Sequence, residues 1–312
     1  MFTNASPTPL QEISDPMFSE KKVRVWIKRD DQLHPYISGN KWRKLKYNLI
    51  RAKKEGFDTL LTFGGAYSNH IYATAAAANE YGFKSIGIIR GEEQLPLNPT
   101  LRFANQQKME IFYIDRERYR LKNSESVLSE FREKFKNFYL IPEGGTNELA
   151  IRGSSETIQE IDTPYNYICC SVGTGGTIAG LITAIGGQKK VLGFSALKGG
   201  FLKDEIHQIF NLYNLPISSN WEIIKDYHFN GYAKISPPLI DFIKNFYVKH
   251  HILLDPIYTG KMMFGLFDLI NKDYFPRGSK IIALHTGGLQ GWEGIKERYK
   301  GKAGFDFGFA EG

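Results

Sequence analysis

The sequence predicts an α/β fold whose parallel sheets are covered by helices on both faces. Short apolar runs, typical of buried strands, alternate with amphipathic helical stretches along most of the chain. Pairs of glycines follow several of these runs, where a parallel strand would turn into the next helix. The chain has 312 residues, which is enough for two domains of about 150 residues each.

The first half of the chain shows the alternation clearly. Residues 23–28 alternate apolar and polar side chains, as a half-buried strand does. Residues 41–55 place Trp42 and Leu45 on one helical face, and Gly56 follows as a stop signal. The same criteria predict, in order, strand 59–63, helix 68–80, strand 84–90, helix 101–108, strand 110–114, helix 116–136 and strand 138–141.

The second half continues the pattern with one interruption. Residues 214–238 show no regular period, and we assign no element there. The predicted elements are helix 147–161, strand 165–172, helix 177–185, strand 191–196, helix 202–212, helix 261–270, strand 280–284 and helix 293–298.

Composition excludes several classes of protein. Lys and Arg exceed Asp and Glu by 40 to 33, but basic residues are interleaved with acidic and apolar ones, so we expect no nucleic-acid partner. No apolar run reaches the roughly 18 residues that span a bilayer, and we expect no secretory signal in residues 1–16, which mix Pro, Ser and acidic residues with single apolar ones. The adjacent Cys169 and Cys170 suit a strand in a cytoplasmic protein. We find no metal-ligand spacing.

A glycine-rich segment lies between a predicted strand and a predicted helix. It reads Ser-Val-Gly-Thr-Gly-Gly-Thr over residues 171–177. Glycines let backbone N–H groups converge, Thr174 and Thr177 add hydroxyls, and the helix start adds a positive dipole end. The segment therefore favours a phosphate site over a plain turn. It lacks the ending of a nucleoside-triphosphate loop.

Residues 64–70 repeat this geometry with the sequence Gly-Gly-Ala-Tyr-Ser-Asn-His. Ser68 or Asn69 could cap the helix, or the segment could bind a second anion or a carboxylate. Ser68 is also available for acid, base or nucleophilic chemistry. His70 has no evident partner, and we expect a satisfied surface or interface histidine.

Two lysines open a predicted helix, where the dipole disfavours cations. Lys41 and Lys44 lie on the same helical face. Alone they would be solvated surface charges. Beside a phosphate site, one amine could form a Schiff base with a carbonyl cofactor if its pKa were lowered.

Two further segments carry hydroxyl groups near predicted strand or helix ends. Residues 255–261 contain Tyr258 and Thr259, and residues 284–288 contain Thr286. From the sequence, these residues could equally well stabilise turns and strand ends or belong to a functional site.

Together these segments resemble one family, that of 1-aminocyclopropane-1-carboxylate (ACC) deaminase and D-cysteine desulfhydrase. The family uses pyridoxal 5'-phosphate and is similar in fold to the tryptophan synthase β subunit. The resemblance runs from about residue 8 to residue 290. It rests on residues 29–31, 38–45, 64–69, 174–180, 255–261 and 285–288.

The resemblance implies a role for each site residue. Lys41 would hold the cofactor as a Schiff base, and Lys44 would support the site electrostatically. Asn69 would bond the cofactor's phenolic oxygen, Ser68 would face the substrate, and Tyr258 would lie against the ring. The phosphate would be held by Thr174, Gly175, Gly176 and Thr177.

Tyr232 resembles a second active-site tyrosine, although its surroundings depart from the family's glycine-rich pattern, with Lys234 in place of a small residue. The resemblance also implies a homodimer and two doubly wound parallel-sheet domains. The smaller domain, residues 44–151, would be inserted in a larger one made of residues 1–43 and 152–312.

Two positions bear on the substrate. ACC deaminases resemble one another in having Glu and Leu at the positions that correspond to residues 259 and 286. This chain has Thr259 and Thr286 there. In having hydroxyl residues at both positions, the chain resembles the D-cysteine desulfhydrases. We therefore expect α,β-elimination of D-cysteine, with Lys41 as general base and Tyr258 as acid. ACC deaminase, a lyase for another small amino acid and a slow cofactor-binding protein are the alternatives.

Overall fold

The computed structural model describes residues 6–37 and 39–310. Ser38, which opens the second of the resembling segments, lies outside the described residues. The strands are β1 (Leu10–Ile13), β2 (Arg24–Lys28), β3 (Thr59–Gly65), β4 (Lys84–Arg90), β5 (Met109–Ile114), β6 (Tyr139–Ile141), β7 (Tyr167–Val172), β8 (Lys190–Ser195), β9 (Trp221–Ile224) and β10 (Lys280–Leu284).

The helices lie between them. They are α1 (Pro16–Lys21), α2 (Asn40–Lys54), α3 (Asn69–Tyr81), α4 (Pro99–Gln106), α5 (Arg116–Arg120), α6 (Glu125–Phe135), α7 (Glu148–Gln159), α8 (Gly176–Ile185), α9 (Leu202–Leu212), α10 (Pro237–His250), α11 (Thr259–Asn271) and α12 (Gly291–Tyr299). No helix in the described part of the chain is long and apolar enough to cross a membrane.

The strands form two sheets. The larger has the order β1-β2-β10-β7-β8-β9 and the smaller β5-β4-β3-β6. All pairs are parallel except β1 with β2, which is antiparallel at the edge. The predicted α/β class with doubly wound parallel sheets is therefore confirmed. The antiparallel edge strand was not predicted.

The larger sheet has an apolar core on each face. Successive strand residues point to opposite faces, and the adjacent Cys169 and Cys170 of β7 lie in different core clusters. Both side chains are fully buried and free of disulfides, as small apolar strand residues are. Cys169 packs with side chains of α10 and α11, and Cys170 with those of α8 and α9.

The smaller sheet is continuous in sequence. Its strands run from residue 59 to 141, whereas the strands of the larger sheet lie before residue 29 and after residue 166. Helices α2 and α7 join the two regions and pack closely, since a Cβ on Gly153 would lie 1.9 Å from the carbonyl oxygen of Arg43. The domain boundaries at residues 44 and 151 stay a prediction.

Several elements differ from the predicted ones, and helix α10 among them was not predicted. The predicted helix 116–136 is two helices, because Ser124 caps α6 with its hydroxyl, which accepts from the amide of Val127. The unassigned stretch 214–238 contains β9 and the first residues of α10. Helix α1 near the start of the chain was not predicted either.

Candidate active site

The carboxyl ends of strands from both sheets face one another, and the chain turns there into its helices. Close contacts here join the turn after β10 to the starts of α2 and α3 and to the turn before α11. The turn after β6 contacts the start of α8. Parallel folds place their ligands beyond the carboxyl ends of strands.

The start of α2 is fixed by the turn after β10. Gly39 has a φ of +63°, and a Cβ there would lie 1.8 Å from the carbonyl oxygen of Thr286, so only glycine fits. The amide of Asn40 donates to that same oxygen at 3.2 Å. The Asn40 side chain donates to the Thr177 hydroxyl at 2.9 Å. The residue before Lys41 is therefore fixed to both the turn after β10 and the start of α8.

Lys41 has the properties of a reactive amine. Burial lowers its pKa from 10.5 to about 8, although part of the side chain still reaches solvent. Within the described residues its ammonium has no ion-pair or hydrogen-bond partner. A lysine with such a pKa is partly deprotonated near neutral pH, which covalent chemistry with a carbonyl requires.

A buried ionic network includes Arg43, two residues after Lys41 on the same helix. Arg43 donates to Asp30 at 2.6 and 2.8 Å and to Glu160 at 2.8 and 2.9 Å. Lys28, which is fully buried, donates to Glu160 at 2.6 Å. Two cations and two carboxylates balance, so the network ties α2 to β2 and α7 without net charge.

The glycine-rich segment forms a cradle at the start of α8. Gly175 has a φ of +77° and caps the helix without any side-chain hydrogen bond, so the first amides of α8 remain available. A Cβ on Gly176 would lie 3.0 Å from Nζ of Lys44 and 2.9 Å from the hydroxyl of Thr146. The ammonium of Lys44 is therefore held at the positive end of the helix.

Lys44 is buried and has no carboxylate partner among the residues that the structure describes. Its Nζ donates to the carbonyl of Gly144 at 3.0 Å and to the hydroxyls of Thr146 at 3.2 Å and Thr174 at 3.4 Å. Burial, and next the charge of Lys41, lower the pKa of Lys44 well below its usual value. A cation beside a helix N-terminus is unfavourable unless an anion lies between them. The arrangement therefore suits an anion such as a phosphate.

The start of α3 carries Ser68, Asn69 and His70. The hydroxyl of Ser68 caps the helix by accepting from the amides of His70 and Ile71 at 3.2 and 3.3 Å. The Asn69 amide nitrogen would lie 2.9 Å from a Cβ on Gly288, so this side chain reaches the turn after β10. Ser68 is a cap, as one of the two interpretations expected.

His70 is buried, and its prediction as a satisfied surface or interface residue is wrong. Its side chain is 2% exposed. Thr62 donates its hydroxyl to the carbonyl of Ile141 at 2.8 Å, so it accepts from Nε2 of His70, also at 2.8 Å. Nδ1 has no partner among the described residues. Burial, then Lys41 and Lys44, lower the pKa of His70 well below 6.5, so the ring is neutral.

The start of α11 is organised by Asp255. Its carboxylate accepts from the amides of Ile257, Tyr258 and Thr259 at 2.7–2.9 Å, and from the Thr259 hydroxyl at 2.6 Å. The hydroxyl of Thr259 is therefore directed to Asp255. The Tyr258 ring lies on the backbone before the cradle, since its Cε1 would be 3.2 Å from a Cβ on Gly173.

Tyr232 and Tyr258 lie together. Their ring centroids are 6.0 Å apart, with the two rings edge to face. Burial, followed by Tyr232, raises the pKa of Tyr258 well above 10, so the Tyr258 phenol stays protonated near neutral pH.

Most of the predicted site residues meet here. Lys44 contacts the cradle, Tyr258 lies against Gly173 just before it, and Asn69 reaches the turn after β10. Thr286 in that turn contacts the start of α2, which carries Lys41. The exception is the Thr259 hydroxyl, which is held by Asp255.

The comparisons with known proteins agree with this geometry. A family model described as "Pyridoxal-phosphate dependent enzyme" matches residues 1–287. The chain belongs to this family. The tryptophan synthase β-like fold is thereby confirmed, and so is pyridoxal phosphate as cofactor.

Named relatives narrow the similarity within the family. A putative ACC deaminase of Pyrococcus abyssi is 33% identical, covering 91% of this chain and 90% of its own. A bifunctional D-cysteine desulfhydrase/ACC deaminase of Arabidopsis thaliana, named as mitochondrial, is 32% identical, covering 91% and 77%. The crystal structure of an ACC deaminase homologue superposes with a TM-score of 0.81 at 30% identity, covering 94% and 93%.

The residues present fit pyridoxal phosphate. The free amides of α8 and the Lys44 ammonium suit its phosphate, and the amine of Lys41 suits its aldehyde. The Asn69 amide, directed at the turn after β10, suits a polar ring substituent. Gly144, with a φ of +66°, must be glycine because a Cβ would lie 2.6 Å from the Thr174 side chain.

Sequence reasoning missed two contributors to the site, Thr146 and Asn40, and one buried lysine on α11. Thr146 bonds the Thr174 hydroxyl at 2.7 Å, although only the preceding glycine pair had drawn attention. Asn40 joins α2 to the cradle. Lys261 is buried on α11, and its position in the segment 255–261 was the only available signal.

Proposed function

We propose that the protein is a D-cysteine desulfhydrase, which converts D-cysteine and water into pyruvate, hydrogen sulfide and ammonia. The bound cofactor would supply the electron sink for bonds to the α-carbon of the substrate. The observation that carries the choice of substrate is the hydroxyl pair at residues 259 and 286, where the family's ACC deaminases have Glu and Leu.

The surroundings of residue 259 support this choice. Both oxygens of Asp255 are occupied by the donors of its own turn, so this carboxylate does not replace the missing Glu. ACC has no α-proton, and opening its strained ring requires a cofactor ring whose nitrogen stays protonated, which a nearby carboxylate maintains. D-Cysteine has an α-proton and a good leaving group, so its elimination does not require that carboxylate.

The proposed roles follow the geometry. The substrate carboxylate would bind at the start of α3, where the helix dipole and the Ser68 hydroxyl favour an anion. The amine of Lys41, with a pKa of about 8, would take the α-proton. Tyr258, kept protonated by burial and by Tyr232, would give its proton to the leaving sulfide.

The test compares two substrates in one preparation. Purified protein loaded with pyridoxal phosphate should release sulfide from D-cysteine with a higher kcat/KM than it forms α-ketobutyrate from ACC. The double variant Thr259→Glu/Thr286→Leu should shift this ratio toward ACC. A higher kcat/KM for ACC in the unaltered protein would overturn the proposal.

The names of the relatives favour the second candidate, ACC deaminase, since the Pyrococcus protein carries that name. The Arabidopsis protein is named for both activities. L-Cysteine, D-serine and L-serine belong in the same assay, because a lyase for another small amino acid would prefer one of them.

Two further proposals rest on the sequence, the first on the resemblance and the second on the adjacent Cys169 and Cys170. We propose a homodimer, which light scattering of the purified protein tests, and a cytoplasmic location. A monomer in solution would contradict the first.

A further inference from the structure

Lys261 is a buried lysine to which neither the cofactor nor the proposed reaction assigns a role. Its side chain is 1% exposed and lies within the first turn of α11, just after Tyr258 and Thr259. Burial lowers its pKa to about 8. It makes no ion pair with any described carboxylate, and its Nζ donates only to the backbone.

Both acceptors belong to the loop that carries Tyr232. Nζ of Lys261 donates to the carbonyl of His228 at 2.9 Å and to that of Gly231 at 2.8 Å. Each carbonyl also closes a tight turn, since it accepts from the amide of Gly231 at 3.0 Å or of Lys234 at 3.2 Å. The ammonium therefore joins two consecutive turns.

The loop needs such a constraint because its backbone is unfavourable. Phe229, Asn230 and Ala233 have φ values of +50°, +66° and +51°, in the left-handed region that side chains other than glycine rarely adopt. Such conformations persist only where the surrounding structure holds them. Tyr232 lies among these residues.

The rest of the loop docks on one face of α11. Phe229 packs edge to face on Phe264 at 5.0 Å, and the Tyr227 hydroxyl donates to Asp268 at 2.6 Å. Tyr227 also lies against Gly265, whose Cβ would be 2.6 Å from its ring. Residues 261, 264, 265 and 268 share this face by helical spacing. The same helix presents Tyr258 at its start.

We propose that the ammonium of Lys261 acts as a built-in monovalent cation, which holds the loop of residues 227–234 in its turns and so positions Tyr232 against Tyr258. A buried cation bound by carbonyl oxygens alone has the surroundings that proteins give to potassium. Lys261 is a positioning residue in this scheme. The inference goes beyond the proposed reaction and does not depend on the substrate.

The experiment follows the loop by limited trypsin digestion of the cofactor-loaded protein. Lys234 is exposed and lies within the loop. In Lys261→Ala, cleavage after Lys234 should be at least about tenfold faster than in the unaltered protein, because local opening exposes the bond. Lys244→Ala, which removes one exposed ammonium of α10, is the matched control and should be cleaved normally.

Rescue separates a cation role from a general packing role. At constant ionic strength, potassium chloride should slow cleavage of Lys261→Ala after Lys234, and lithium chloride should not. Lys261→Met, whose side chain fills the space, should open the loop without rescue by either salt. If Lys261→Ala does not fold, Lys261→Met carries the cleavage test.

Three outcomes would overturn the inference. They are unchanged cleavage after Lys234 in the folded variants, faster cleavage at all sites alike, and equal effects of potassium and lithium. None of these readouts uses turnover, so failure of the desulfhydrase assay would leave them intact.

Discussion

The buried ammonium of Lys44 gives the sharpest prediction about the cofactor site. In Lys44→Met the side chain keeps its bulk, and the positive charge at the start of α8 is lost. A charge-assisted hydrogen bond to phosphate contributes about 1.5–3 kcal/mol. The Kd for pyridoxal phosphate should therefore rise about 10- to 150-fold.

The unfolding free energy of the protein without cofactor should change little, by about 1 kcal/mol or less, because two effects of the substitution offset each other. The substitution removes the hydrogen bonds from Nζ to Gly144, Thr146 and Thr174, at 3.0–3.4 Å. It also removes the cost of burying a cation near Lys41. The loss should appear in cofactor binding, with little effect on folding.

The assay compares pyridoxal phosphate with pyridoxal, which lacks the phosphate. Absorbance titration of each should show that Lys44→Met weakens only pyridoxal phosphate. Lys46→Met, on the same helix and paired with Glu156 at 2.8 Å, should leave both affinities unchanged. If Lys44→Met weakened pyridoxal as strongly as pyridoxal phosphate, the phosphate role of Lys44 would be refuted.

Three other predictions test the surroundings of the site. In Lys41→Ala, covalent attachment of the cofactor, measured by absorbance, should be lost. In the unaltered protein the rate of attachment should rise with pH and level off above about 8, since only the neutral amine attacks. A rate that still rises past pH 10 would contradict this. The NMR signals of the His70 ring should stay constant from roughly pH 7 to 6, where an ordinary histidine titrates. Asp30→Asn, which unbalances the buried network, should lower the unfolding free energy by about 3–5 kcal/mol, and Glu12→Gln, at an exposed pair, by less than about 1 kcal/mol, in denaturant titrations. Equal losses would mean that the network is solvated.

Much of the fold follows from local patterns. Strand β3 and helix α3 could be predicted because an apolar run, a glycine pair and a capping Ser68 follow one another within a few residues. The break between α5 and α6 was missed, since Ser124 is a cap in one context and an ordinary helical residue in another. Strand β9 lacks a pattern of its own and is defined by its pairing with β8.

Some features of the site also follow from local sequence, whereas others depend on residues far apart in the chain. The cradle at residues 174–177 could be predicted because helix-start chemistry is local. His70 could not, since its role depends on Thr62, eight residues away, and on Ile141, seventy-nine residues from Thr62. The sequence also left the Thr259 hydroxyl open, which only the fold directs to Asp255.

The sequence by itself determined the strand–helix alternation, the anion site at α8 and the segments that resemble the pyridoxal-phosphate enzymes, because each depends on residues near one another in the chain. Only the tertiary structure decided which lysines are buried, which acceptors they meet and how their pKa values shift. Burial and electrostatic interaction act through space. Composition and spacing alone would leave Lys41, Lys44 and Lys261 as surface charges, and each lysine acquires its own pKa once the chain encloses it.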